Sequence, residues 1–348
     1  MEQAKRKSNF ELLRILAMIM IVAHHCCLYS NFQRETLINN AVLDFLIIGG
    51  KIGVAVFVLI SGYFGIGSEF RLKKLIKLLV QVLFYSLSFG IIHILLTGNI
   101  SLKELIKMVF PITCSSYWFM TSYCILYVLT PYINKLFRSL NKRELINLLA
   151  IIGVLSCGIF ATFSVRRGVN DLFIFVFLYM AGGYINVYCM QKKYKYTLLI
   201  AIISYFSIFA MQILAELTDL FPVNYFIGLS SLPVIICAMS LVLYFKNIKF
   251  QSNFVNFFSR STLGVYLIHE NMYVREFLWE KVTKGTSLIN NSIFAIYVIL
   301  SIILVYLICA VIDLIRIHTV EKCTLQLIYN ICDKLKCKLK KYTERVKL

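Results

Sequence analysis

An all-α polytopic bundle of about ten transmembrane helices, with both termini inside, is the fold this sequence predicts. Three observations predict it. Of 348 residues, 59% are hydrophobic and 15% charged, only four are proline, and the mean hydropathy is +0.78. A soluble domain of this size is nearer half apolar and a quarter charged. Apolar runs of about 20 residues recur along the chain, the length at which a helix crosses the hydrocarbon core with its backbone groups satisfied internally. Finally, the Lys and Arg residues collect in alternate connections, as the positive-inside rule requires of inner loops.

The predicted spans are 10–30, 47–66, 75–97, 117–137, 144–163, 171–190, 196–216, 223–245, 262–279 and 289–315. With the N-terminus inside, 26 of the 36 Lys and Arg residues fall in inner segments and nine in outer ones, Arg14 lying within the first span. The formal charge of +19 is therefore mostly topology, and no nucleic-acid partner is expected. Residues 1–315 form the bundle in this reading, and 316–348 a basic cytoplasmic tail. The localisation that follows is a multi-pass protein of the cell membrane.

The first span, NFELLRILAMIMIVAHHCCLYS over 9–30, is not read as a cleavable leader. Arg14 interrupts it and no small-residue cleavage site follows. Between spans three and four, SLKELIKMVF (101–110) opens with a capping box of Ser101 and Glu104, and Pro111 stops it. Leu102, Leu105, Ile106 and Val109 would share one face, which predicts a short helix lying on the outer surface. Span four opens on Tyr117 and Trp118, where an aromatic belt is expected. After span ten, Leu325, Ile328, Leu335 and Leu339 alternate with lysines, a pattern suited to anionic headgroups. No internal repeat and no pair of broken helices of the transporter kind is found. The eleven cysteines are scattered through apolar runs without a repeated CxxC, so they read as reduced core residues; no metal site is expected.

Arg14 and His25 are the residues most in need of a function. A charge at the bilayer centre costs about 2.5–3.5 kcal/mol on insertion scales. The two residues are eleven positions apart, which on a helix places them about 20° apart in azimuth and roughly 16.5 Å apart along the axis. One face thus carries a permanent cation near a membrane surface and an imidazole deeper in, while His24 lies about 80° off that line. An unperturbed imidazole is mostly free base at neutral pH and can take a proton from an attacking hydroxyl. Glu11, three residues before Arg14, is within pairing distance. Each residue also has a plainer reading: His25 as a core histidine, Arg14 as a snorkelling cation, His24 as packing.

The segment Asn9-x-Glu11-x-x-Arg14, followed after ten residues by His25, resembles the membrane acyltransferase family 3. The likeness extends to SGYF at 61–64, YWFMTSYCILYVLTPYIN at 117–134 and STLGVYLIHE at 261–270, and so covers the first nine spans. The family comprises integral membrane O-acyltransferases of bacterial polysaccharides and related acceptors. The resemblance implies an acyl-CoA donor, acetyl-CoA in the first instance, on the cytoplasmic side. It also implies an acceptor hydroxyl reached from outside, on a cell-envelope or capsular polysaccharide or its lipid-linked precursor. His25 is then the base, with Arg14 and Glu11 organising the donor; the family more often has Asp at the Glu11 position. A paired arginine motif is usual after the second span. The nearest match here is Lys74-x-x-Lys77, which supplies charge for the donor's phosphates but not the bidentate fork, or else is simply a topogenic loop.

His269 and Glu270 in span nine diverge by about 100° on a helix, so one is expected to line the site while the other pairs with Arg275. Tyr117 and Trp118 either stack on an acceptor sugar or serve as belt residues. Ser61 and Gly62 are expected to permit close helix packing, and His93 to be interfacial. No bound cofactor is expected; acyl-CoA enters as a co-substrate. The expected partners are the acceptor glycan, membrane lipids, and either a second copy of the chain or a polysaccharide-assembly protein. No extracytoplasmic domain is expected after the last span. The rival reading is a transporter or flippase of the same envelope pathway, with the intramembrane polar residues as proton or substrate sites.

Overall fold

The computed structural model describes residues 6–30, 32, 37–159, 167–191, 194–218, 226–282 and 293–330. The ends of predicted spans five, eight and ten, Lys192, Lys193, Leu335 and Leu339 lie outside these residues. The described chain is all helical, with no strand among the described residues. In chain order the elements are α1 Ser8–Tyr29, α2 Leu37–Ile47, α3 Gly49–Gly65, α4 Leu72–Thr97, α5 Leu102–Val109, α6 Trp118–Ser139 and α7 Lys142–Val154. They continue with α8 Arg167–Cys189, α9 Thr197–Thr218, α10 Leu232–Asn247, α11 Asn253–Phe258, α12 Thr262–His269, α13 Met272–Glu276 and α14 Phe294–Arg316.

Six helical stretches among the described residues are long and apolar enough to cross a membrane: Ser8–Tyr29, Ile38–Gly65, Leu72–Thr97, Asn170–Cys189, Thr197–Thr218 and Phe294–Asn330. The other four predicted spans correspond to α6, α7, α10 and α12, which are shorter or more polar. The second span starts earlier than expected. Asn39, Asn40 and Asp44 depress the hydropathy before residue 47, yet α2 leads almost directly into α3, and Asp44 is 2% exposed. The ninth span is not one helix: α12 ends at His269, and α13 begins after a break at Glu270 and Asn271. Non-helical backbone at this depth is tolerated where protein surrounds it, and all three residues are buried. The last helix does not stop at 315. A π turn, Ile317–Glu321, carries it onward, and helix persists to Asn330.

α1 is the central element, packed against α2, α3, α10, α11, α12 and α14. α3 packs most extensively on α8 because each presents a glycine where the other's backbone passes. A Cβ on Gly62 would lie 1.9 Å from the Tyr179 carbonyl oxygen, and one on Gly182 would lie 2.1 Å from that of Leu59. The packing role expected of Gly62 is therefore real, in the small-residue mode of membrane helices. α5 has the capping box read from sequence: Ser101 Oγ accepts from the Glu104 amide, and the Glu104 carboxylate accepts from the Ser101 amide. Its Met108 tucks against α4, while Leu102, Leu105, Ile106 and Val109 stay exposed, the disposition of a helix lying in an interface.

Candidate active site

The N-terminal turns of α1 are tied down before the site begins. Asn9 Nδ2 donates to the Phe245 carbonyl at 2.8 Å, and Ser8 Oγ is 2.9 Å from Asn256 Oδ1. Arg14 Nη1 donates to Glu11 Oε1 at 2.8 Å, and Arg6 approaches the other Glu11 oxygen at 3.6 Å. From this anchored end a cavity of about 460 Å³ runs along α1. Arg14 and His25 both line it, as their shared helix face required. Lys74 and Lys77 of α4 and Trp118 of α6 line it as well.

Six cations line this cavity: Arg6, Arg14, Lys51, Lys74, Lys77 and Arg260. No carboxylate lines it among the described residues. Burial first, and then Arg260 and Arg14 beside it, push the Arg6 guanidinium below its ordinary value against the pull of Glu11. Such crowding of like charge, with Glu11 shared by Arg6 and Arg14 and Glu321 set against Lys77, makes a basin for a polyanion.

His25 is fixed by a chain of hydrogen bonds that also sets its tautomer. The Val265 carbonyl, 2.6 Å from His269 Nδ1, can only accept, so that nitrogen carries the hydrogen. Neutral His269 therefore offers Nε2 as an acceptor. His25 Nδ1, 2.9 Å away, donates to it. The lone pair of His25 is left on Nε2, which has no protein hydrogen-bond partner among the described residues, in a side chain that lines the cavity. Glu270 Oε2 stands 3.3 Å from His25 Nδ1, while Glu270 Oε1 accepts from Tyr29 and Arg275. A base aimed at a cavity, held in one tautomer and backed by a carboxylate, has the parts of a general-base site.

Of the pair in span nine, Glu270 is paired with Arg275 as expected, but His269 does not line the cavity; both instead reach the far side of His25. The 100° divergence holds only inside a continuous helix. α12 ends at His269, which leaves Glu270 free to turn, so both residues reach His25 Nδ1. They stand behind the base and do not line the cavity. Tyr117 is 2% exposed and no belt residue. It accepts from Asn271 Nδ2 at 2.7 Å and donates to the Leu267 carbonyl at 3.1 Å, bracing the break in span nine. Trp118 does line the cavity, with Lys51 Nζ 4.3 Å from its ring centroid. His24 donates from Nδ1 to the Ile47 carbonyl at 2.7 Å, holding α1 to α2, and its side chain also lines the cavity beside His25. Ser61 Oγ is committed to the Phe57 carbonyl at 2.8 Å.

In the sequence, Arg6, Lys51 and Arg260 read only as loop charge. Nothing in their spacing links them to α1, because the cavity gathers them from separate elements. Tyr29 joins them, and the one signal for it in the sequence is its four-residue offset from His25, one helical turn further along the same face.

An all-helical membrane bundle with a cation-lined cavity and a tautomer-locked histidine facing it defines a membrane enzyme of group transfer. The chain belongs to acyltransferase family 3: the model of its acyltransferase domain matches residues 7–310, and the protein is a membrane acyltransferase. No curated protein and no solved structure matches the chain.

Proposed function

We propose that the protein moves an acetyl group from acetyl-CoA to a hydroxyl of a cell-envelope or capsular polysaccharide or its lipid-linked precursor. The observation that carries this reading is His25 Nε2, a lone pair facing a cavity whose other end is lined by Arg14, Lys74 and Lys77. The donor enters with its phosphates among those cations, and its thioester arm runs along α1 toward His25. The acceptor approaches from the end of the cavity near Trp118, whose indole offers a face for a sugar ring. As the acceptor oxygen attacks the thioester carbonyl, its proton passes to His25 Nε2. The resulting imidazolium is steadied by Glu270, 3.3 Å from Nδ1. Collapse of the tetrahedral adduct forms the ester and breaks the C–S bond, and His25 returns the proton to the departing thiolate. General-base assistance of this kind contributes roughly 10²–10⁴-fold.

The donor side is cytoplasmic in this proposal, because the basic inner loops and acyl-CoA would share that side. Family membership favours this reading over a flippase. Purified protein that slowly hydrolyses acetyl-CoA, and envelope glycans that lose an O-linked acetyl group when the protein is removed, are the expected results. Intact acetyl-CoA together with unchanged glycan acylation would overturn the proposal.

A further inference from the structure

A second cavity, of about 300 Å³, branches from the first where Arg14, Lys74 and Lys77 line both. Its chemistry differs from that of the main channel. Tyr127 and Phe64 supply aromatic surface, and Glu69 supplies a carboxylate with no ion-pair or hydrogen-bond partner among the described residues. The floor is ordered: Asn134 Nδ2 donates to the carbonyls of Gly65 and Ser68 at 3.0 and 3.1 Å, and its Oδ1 accepts from Tyr179. The Tyr127 hydroxyl is held by the amide and carbonyl of Arg71. A phosphate is disfavoured beside the Glu69 carboxylate. A flat, neutral heterocycle with an exocyclic amine is suited to it, since the rings can stack on its faces and Glu69 can accept from the amine.

We infer that this side branch, lined by Tyr127, Phe64 and Glu69, is a site for the purine end of a nucleotide-bearing donor, with Arg14, Lys74 and Lys77 holding the phosphates at the junction. The inference rests on the reading that acyl-CoA is the donor. The molecule would then bend at the cations, sending its base into the branch and its thioester arm along α1 to His25. Two features favour the branch over the channel mouth at Arg6 and Arg260. The mouth gathers cations, which suit phosphates, whereas the branch supplies rings and an acceptor. Lys74 has no carboxylate partner among the described residues, so its ammonium stands at the junction available to a phosphate.

The test compares two donors on the full-length protein in detergent: acetyl-CoA, and acetylated 4′-phosphopantetheine, which keeps the thioester arm and one phosphate but has no adenosine. Tyr127→Ala and Glu69→Ala, which removes the acceptor altogether, should each raise KM for acetyl-CoA, by on the order of tenfold for the lost ring. Turnover of the truncated donor, which never reaches the branch, should match wild type. Tyr127→Phe, which keeps the ring but loses the contacts to Arg71, should recover most of the affinity. Equal losses for both donors, or no change with either substitution, would overturn the site. A wild-type protein that turns over neither thioester would remove the donor reading itself, and the nucleotide site with it.

Discussion

Two buried ionic clusters sit in this bundle, and they differ in one respect that separates chemistry from scaffolding. The first joins His25, His269, Glu270, Tyr29 and Arg275; the second joins Asp313, Arg316, Gln81 and Tyr85. Both contain a carboxylate out of contact with solvent and both span helices distant in sequence. In the second, Asp313 Oδ1 accepts from Arg316 Nε at 2.7 Å, from Tyr85 at 2.7 Å and from Gln81 at 3.4 Å, and Asp313 lines no described cavity. That carboxylate turns its bonds inward, although Gln81 also lines the main cavity and Arg316 reaches out to Glu321. The first leaves one ring nitrogen, His25 Nε2, turned away from its partners in a side chain that lines the channel. Burial of charge in a membrane is therefore not enough to mark an active group; His24 also lines the channel, and what sets His25 apart is the His269 and Glu270 pair behind its other ring nitrogen.

The sharpest way to break this comparison is to remove the centre of each cluster. His25→Ala should cut acyl transfer by roughly 10²–10⁴-fold at unchanged protein level, whereas His24→Ala, which loses its bond to Ile47 and some cavity wall but has no carboxylate-backed imidazole behind it, should retain most activity. Transfer assays on membranes matched for protein content decide this, and a dead His24→Ala beside an active His25→Ala would refute the tautomer argument. Asp313→Ala should behave in the opposite way. It leaves buried Arg316 with Glu321 as its one carboxylate partner, and breaking one side of a buried pair costs up to about 3–5 kcal/mol, so the protein should be lost from the membrane or melt early. A thermal-stability assay in detergent measures the loss; normal stability with abolished transfer would make Asp313 a functional residue after all.

A smaller effect is expected at Glu270. Glu270→Gln keeps the shape but cannot balance an imidazolium, and a charge-assisted contact is worth about 1.5–3 kcal/mol, so kcat should fall on the order of tenfold or more. An unchanged kcat would reduce Glu270 to a partner of Arg275. The smallest effect belongs to the link between the second cluster and the channel. Arg316 Nη1 pairs with Glu321 at 2.9 Å, and Glu321 in turn pairs with Lys77, a channel-lining cation. Glu321→Gln frees Lys77 from a half-exposed contact, for which about 0.2–1 kcal/mol is typical. Donor KM should shift by a few-fold with kcat constant; a kcat change without a KM change would show that Lys77 does not touch the donor.

The features legible in the sequence share a physical property: each lies within one helix or one turn. The shared face of Arg14 and His25, the Arg14–Glu11 pair and the Ser101 capping box follow from a period of 3.6 residues and were found where expected. The helical membrane class followed from hydropathy, which needs only composition along the chain. The break in span nine was not legible, because apolar residues flank it on both sides and what stabilises it is Asn271 bonding to Tyr117, 154 residues away.

Sequence by itself determined that this chain is a helical membrane bundle and which residue of its first helix faces the same way as Arg14. Only the tertiary structure decided what stands behind that residue. His25 meets His269 across 244 positions, Tyr85 meets Asp313 across 228, and Lys77 meets Glu321 across 244. No periodicity encodes such pairs, since they depend on the order in which helices pack and on close approaches such as Gly62 on Tyr179. The tautomer of the base is decided there too. It follows from a backbone carbonyl at Val265 and a second imidazole, brought to α1 by a helix that ends where hydropathy alone would have continued it.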